Sequence, residues 1–108
     1  MDIKIEAPGH PSQDALIKYY ENRLNKKYGT YDFIKSIYVK VNKAKNGGFE
    51  VSLGIKPEKS TFIYVTDTNE SENKALSEAI RKMNVQIEKY KQHHYHSVHT
   101  VQKQKRQD

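Results

Sequence analysis

The stretch that decides the fold is residues 36–55, which read SIYVKVNKAKNGGFEVSLGI. In residues 36–42 every second side chain is Ile or Val, a pattern that predicts a β-strand with one buried face. Asn46-Gly47-Gly48 follows, and glycine readily adopts the positive φ angles that a chain reversal needs. The alternation then resumes in residues 49–55, so the stretch predicts a β-hairpin. The side chains expected to point inward from its first strand are Ile37, Val39 and Val41.

Upstream of this hairpin the sequence predicts one strand and one helix. Ile3-Lys4-Ile5 alternates apolar and polar residues and is typical of a short strand. Ser12 is expected to cap a helix with its side chain, and Gly29 is expected to end that helix as its C′ residue. The helix would bury a face made of Leu16, Ile17, Tyr20, Leu24 and Tyr28.

Downstream of the hairpin the sequence predicts a fourth strand and a second helix. Residues 61–66 have strand composition, but both faces of that strand are apolar, so its inward face stays open. Ser71 is a favourable N-cap for the second helix. The stripe Leu76, Ile80, Met83, Ile87 and Tyr90 repeats at steps of four and three residues and predicts its core face.

These elements predict an α+β fold, in which a single β-α-β-β-β-α domain occupies residues 1–92. The right-handed crossover rule places the first strand parallel to the second, and the later strands form an antiparallel meander. The expected architecture is therefore a four-stranded mixed sheet with two helices packed on one face. Residues 93–108 lose the apolar periodicity and are expected to form a basic, His-rich flexible tail.

The composition excludes several classes of function. A chain of 108 residues with 35% hydrophobic content has room for one domain with a modest core. The absence of Cys excludes a disulfide framework, a thiolate zinc site and a Cys nucleophile. No catalytic or phosphate-binding motif is present, and no segment is apolar enough for a signal peptide or a membrane span. We therefore expect no enzyme activity, no cofactor and no membrane association.

Positive charge is concentrated toward the C-terminus. The net charge is +6, of which residues 81–108 carry +5. This asymmetry favours a polyanionic partner, whereas a solvated basic helix stabilised by i,i+4 ion pairs is the plain structural alternative. If the two helices pack side by side, their basic residues are expected to form one surface. The residues expected to contact a nucleic acid are Arg23, Lys26 and Lys27 on the first helix and Lys74, Arg81, Lys82, Lys89 and Lys91 on the second.

Four histidines near the C-terminus raise a metal hypothesis: His93, His94, His96 and His99. Imidazoles three residues apart can share a helical face, but neither Cys nor a carboxylate lies nearby to complete a closed coordination shell. Adventitious binding of nickel or zinc is favoured over a functional site. A small metal-dependent enzyme that uses these histidines stays open as the weakest alternative.

The order of elements and several motifs resemble one family, the short ribosome hibernation promoting factors and ribosome-associated inhibitors, also called sigma modulation proteins. The resemblance extends from Ile3 to about His93. Where the family usually has Asp-x-Tyr-Ala-Ala-Ile-Asp this chain has residues 71–77, SENKALS, and Val85 stands where an Arg is often found. The matching points are Ile3-x-Ile5, Asp14-Ala15-Leu16, Arg23-Leu24-x-Lys26, Ile37-x-Val39, residues 49–53 and Lys82-Met83-x-x-Gln86-Ile87-x-Lys89-x-Lys91.

The resemblance implies a bacterial, cytoplasmic protein that binds the small ribosomal subunit and its rRNA within the 70S ribosome. Members of the family sit in the decoding channel, block mRNA and tRNA binding and silence translation in stationary phase or stress. No small-molecule substrate is implied. The alternative is another RNA- or DNA-binding domain with a layout like that of double-stranded-RNA-binding domains.

Overall fold

The structure is a computed structural model, and it describes residues 1–95. The order of its elements is the predicted β-α-β-β-β-α. Within residues 1–95 neither helix is long and apolar enough to cross a membrane. The elements are β1 (Asp2–Glu6), α1 (Gln13–Tyr28), β2 (Ile34–Lys43), β3 (Phe49–Pro57), β4 (Ile63–Asn69) and α2 (Glu72–Tyr95).

The four strands form one mixed sheet in the order β1-β2-β3-β4. β1 pairs parallel to β2, and the other two pairings are antiparallel, as predicted. Val39 of β2 lies opposite Leu53 of β3, which lies opposite Val65 of β4, so these inward side chains form one row across the sheet. The turn between β2 and β3 contains Gly47 at φ 91°, the positive angle expected of a hairpin glycine.

The core lies between one face of the sheet and the two helices. All five apolar residues of the predicted α2 stripe are buried, and so are four of the five on α1, with Ile17 half-buried. The inward face of β4, which the sequence did not define, consists of Ile63 and Val65. Tyr64 therefore points to the opposite face of the sheet, which neither α1 nor α2 covers.

The first helix lies between Ser12 and Gly29 as predicted, but the details of its two caps differ from the prediction. Ser12 makes no side-chain capping bond, and its backbone N–H instead donates to Nδ1 of His10 at 3.0 Å. Nε2 of the same imidazole lies 2.7 Å from a carboxylate oxygen of Glu72, which ties this turn to α2. Gly29 stays right-handed at φ −64°, because its N–H still bonds to the Asn25 carbonyl and the chain needs no left-handed residue there.

The second helix extends three residues beyond the predicted boundary at residue 92. It begins as expected, with the N–H of Lys74 donating to the Ser71 hydroxyl at 3.4 Å. At its C-terminal end the Tyr95 ring packs 5.8 Å from the Phe33 ring, centroid to centroid, and the Tyr95 hydroxyl donates to Glu58. These tertiary contacts favour helix through Tyr95. The rest of the predicted tail, residues 96–108, lies outside the described residues.

Candidate nucleic-acid interface

A hydrogen bond between the helices places the basic residues of α1. Nη2 of Arg23 donates to the Ser77 hydroxyl on α2 at 2.7 Å. Lys26 and Lys27 follow Arg23 by three and four residues, so helical geometry puts them on the same side of α1. Both lysines are exposed. Arg23, Lys26 and Lys27 therefore lie along the border between the two helices.

On α2 the same border carries cations that are held by acidic neighbours. Arg81 follows Ser77 by four residues and donates to the Glu78 carboxylate from Nε at 3.0 Å. This hydrogen bond holds the pKa of Glu78 below its usual value. Lys91 lies 3.1 Å from a Glu88 carboxylate oxygen. Exposed pairs of this kind contribute about 0 to 1 kcal/mol, so phosphate can replace the carboxylate at little cost.

Lys82 lies on the other side of α2, next to β4. Nζ of Lys82 donates to the Thr66 carbonyl oxygen at 2.7 Å and lies 3.1 Å from Oδ1 of Asp67. Lys89 follows seven residues later and so shares that side of the helix. The structure therefore separates Lys82 from the border between the helices, and contact of the basic residues with a nucleic acid stays a prediction. Because the edge strand carries an acid, it draws Lys82 away from the border between the helices.

The eight predicted contact residues thus fall into two sets. The side chains of four have a hydrogen-bond or ion-pair partner within residues 1–95, and the side chains of the other four have none there and are exposed. Ammonium groups of the second kind give up only water when they meet a phosphate. The first set is Arg23, Arg81, Lys82 and Lys91, and the second is Lys26, Lys27, Lys74 and Lys89.

The described part of the chain provides no group of ligands that would support the metal hypothesis. No cluster of three or more His, Cys, Asp or Glu side chains that could hold a metal occurs within residues 1–95. The His94 ring packs against Tyr90 with centroids 4.4 Å apart, and burial lowers the pKa of His94. His96 and His99 lie outside the described residues. His93 and His94, the two described members of this group, therefore belong to an aromatic cluster at the C-terminal end of α2.

Two features of the surface carried no signal in the sequence. Ser77, whose hydroxyl accepts the hydrogen bond from Arg23, belongs to no sequence motif. A hydrogen bond between two helices depends on how the helices pack. The exposed aromatic ring of Tyr64 was hidden because both faces of the fourth strand are apolar in the sequence. Only the pairing of β4 with β3 and the position of α2 reveal which face it occupies.

Comparisons with known proteins agree with this architecture. The ribosomal subunit interface protein from Coxiella burnetii superposes with a TM-score of 0.72 at 22% identity, covering 84% of this chain and 98% of that one. The N-terminal domain of Protein Y from Thermus thermophilus superposes with a TM-score of 0.69 at 16% identity, covering 83% and 99%. At these identities the similarity establishes the fold. No curated protein sequence matches the chain.

The decisive comparison is with a protein family. The sequence model of the sigma 54 modulation protein / S30EA ribosomal protein family matches residues 3–94, which is nearly the whole described domain. The family predicted from the residues is therefore confirmed. The chain belongs to the sigma 54 modulation protein / S30EA ribosomal protein family, a family of ribosome-associated proteins and not of enzymes.

Proposed function

We propose that this protein binds the small ribosomal subunit in its decoding channel, blocks mRNA and tRNA binding there, and silences translation in stationary phase or stress. Its site of action is the cytoplasm, where ribosomes translate. Membership of a ribosome-associated family supports the proposal. The arrangement of charge on the helices supports rRNA as the component that is contacted.

The observation that carries the proposal is that four of the predicted contact residues are exposed lysines whose side chains have no partner among residues 1–95. Lys26 and Lys27 lie on α1, and Lys74 and Lys89 lie on α2. Phosphates attract ammonium groups over about 10 Å at 0.1 M salt, without demanding one fixed geometry. Phosphates of an rRNA backbone that lies along the helices would also replace the carboxylates of Glu78 and Glu88, which pair only weakly with Arg81 and Lys91.

This chemistry needs neither nucleotide hydrolysis nor metal. Neutralising phosphates releases condensed counterions, so binding is driven largely by electrostatics and falls steeply with salt. The Arg23–Ser77 bond keeps α1 and α2 in register, which presents the cations at fixed spacing. Silencing then follows from occupancy, because a domain bound in the channel excludes mRNA and tRNA.

Pelleting with purified ribosomal subunits over a salt series tests the proposal. We expect binding to the small subunit, and we expect mRNA and tRNA bound beforehand to reduce it. Lys26→Ala with Lys27→Ala should weaken binding and lower the log–log salt slope by roughly 0.7 to 0.9 for each phosphate that the variant no longer neutralises. The matched control is Lys43→Ala with Lys45→Ala, which removes the same charge from the β2–β3 turn.

Three results would contradict the proposal: binding only to the large subunit, affinity that does not respond to salt, or equal weakening in the helix and turn variants. Equal affinity for ribosomes and for an unrelated RNA duplex would instead favour the alternative of a general duplex-binding domain.

A further inference from the structure

The sheet face opposite the helices carries an exposed pair of aromatic rings. Tyr64 is 59% exposed and Phe62 is 37% exposed. The two rings are stacked, with centroids 5.4 Å apart and an interplanar angle of 16°. Water thus meets a nearly flat aromatic surface at the start of β4.

The backbone pairing explains why Tyr64 lies flat over the sheet. Tyr38, Gly54 and Tyr64 occupy one row across β2, β3 and β4. A Cβ added to Gly54 would lie 2.5 Å from Cε1 of Tyr64, so the ring covers the place that a side chain would occupy. The Tyr38 hydroxyl donates to a Glu6 carboxylate oxygen at 2.7 Å, which holds the second tyrosine in position.

These rings border a shallow groove of about 500 Å³ that crosses from β4 to β1. The Glu6 carboxylate at its far side is engaged by Tyr38 and by Lys4, whose Nζ lies 3.3 Å away. The Lys4 side chain is still 72% exposed, so its ammonium can face a phosphate at the same time. Asp2 also lines the groove. The groove therefore combines flat aromatic surfaces with the accessible Lys4 cation and two acids, of which Glu6 is engaged by Tyr38 and Lys4.

This combination is suited to unpaired nucleotides. A base stacks on an aromatic ring with little dependence on sequence, and a nearby lysine can meet the adjacent phosphate. A duplex cannot use the surface, since its bases are stacked on one another and closed to the rings. We propose that this groove binds a short single-stranded RNA segment through Tyr38, Phe62, Tyr64 and Lys4. It does so independently of the helical surface, meaning the predicted contact residues on α1 and α2.

Only the choice of RNA over DNA rests on the proposed function. The groove adds a second RNA-binding surface on the other side of the domain. A ribosome-bound copy would then contact folded rRNA through its helices and a flexible strand through its sheet.

Fluorescence anisotropy with a labelled ten-nucleotide RNA of U and C only, at low salt, tests this surface directly. Tyr64→Leu keeps an apolar side chain but removes the flat ring, so we expect affinity to fall about tenfold. Tyr64→Phe keeps the ring and should bind as the native chain does. Tyr19→Leu is the comparison variant, because Tyr19 is 48% exposed and lies on α1 beside Arg23 and Lys26, so it reports binding of the single strand at the helices instead.

Thermal melting of each variant shows whether it is folded, and Phe62→Leu provides a second variant if Tyr64→Leu is not. Failure of the native chain to bind the single strand would overturn the proposal. A protein partner would then be the better candidate for this face of the sheet. Unchanged affinity for both ring variants, or an equal decrease in Tyr19→Leu, would overturn it as well. Ribosome pelleting of the same variants reports on the helical surface separately, so either proposal can fail alone.

Discussion

Nζ of Lys82 lies 3.1 Å from Oδ1 of Asp67, an ion pair that joins helix α2 to the edge strand β4. The lysine also donates to the Thr66 carbonyl oxygen at 2.7 Å. The other carboxylate oxygen of Asp67 is buried and has no partner within residues 1–95. Lys82 therefore supports the fold, although helical periodicity alone places it on the solvated side of α2.

We expect Lys82→Ala to destabilise the domain by about 1 kcal/mol, because it leaves the largely buried Asp67 carboxylate without its cation. The effect is modest because the Lys82 side chain is 47% exposed and water screens the pair. Thermal melting should show a decrease of about 4 to 8 °C. Lys89→Ala is the control and should melt like the native protein. Equal melting temperatures for both variants would show that the pair contributes nothing.

A second prediction concerns the core face of α2. Ile80 is 8% exposed within the apolar stripe, so Ile80→Ala should lower the free energy of unfolding by about 2 to 4 kcal/mol. Val85→Ala on the same helix is the matched aliphatic control, because Val85 is 53% exposed. Urea unfolding measures both changes. A comparable decrease for Val85→Ala would mean that this side of α2 is covered.

Two buried tyrosine hydroxyls on α1 predict how stability depends on alkaline pH. The hydroxyls of Tyr20 and Tyr28 are buried and have no partner within residues 1–95, and burial raises the pKa of each. An unfolded tyrosine loses its proton near pH 10, so above that pH the unfolded state binds fewer protons than the folded state. Stability is therefore unaffected by these groups below about pH 10 and falls above it.

The double variant Tyr20→Phe and Tyr28→Phe isolates this effect. At pH 7 it should be as stable as the native chain or slightly more so, since it removes two hydroxyls that have no hydrogen-bond partner within residues 1–95. Its free energy of unfolding should fall less steeply than that of the native chain between about pH 10 and about pH 11. Every other ionisable group is present in both proteins, so the difference between the two profiles isolates the two hydroxyls. Parallel pH profiles would show that burial does not raise the pKa of these hydroxyls in the folded protein.

The end of α2 predicts different results for two truncations. Deletion after Gln92 removes Tyr95, whose ring packs on Phe33 and Tyr90 with centroids 5.8 and 5.7 Å away and lies 4.5 Å from Nζ of Lys59. Aromatic pairs contribute about 0.5 to 1.5 kcal/mol each, so this chain should melt at least about 5 °C lower. Deletion after Tyr95 keeps these contacts and should melt like the full chain. If both deletions melt alike, the last helical turn does not stabilise the domain.

Local patterns in the sequence determined most of the architecture. The alternation in residues 36–42 and 49–55 defines two strands because side chains in a strand point to opposite faces in turn. The three- and four-residue spacing on the helices defines their buried sides for the equivalent reason. Each of these signals lies within one element. The family assignment followed because the same elements recur at the same spacing.

Contacts between elements were decided only by the tertiary structure. Phe62, Ile63, Tyr64 and Val65 are all apolar or aromatic, so the inward face of β4 depended on its pairing with β3 and on the position of α2. Lys82 and Lys89 have equivalent helical positions, yet only Lys82 meets an acid on the edge strand. Helical periodicity describes one element, whereas an ion pair or a buried ring depends on which second element lies beside it.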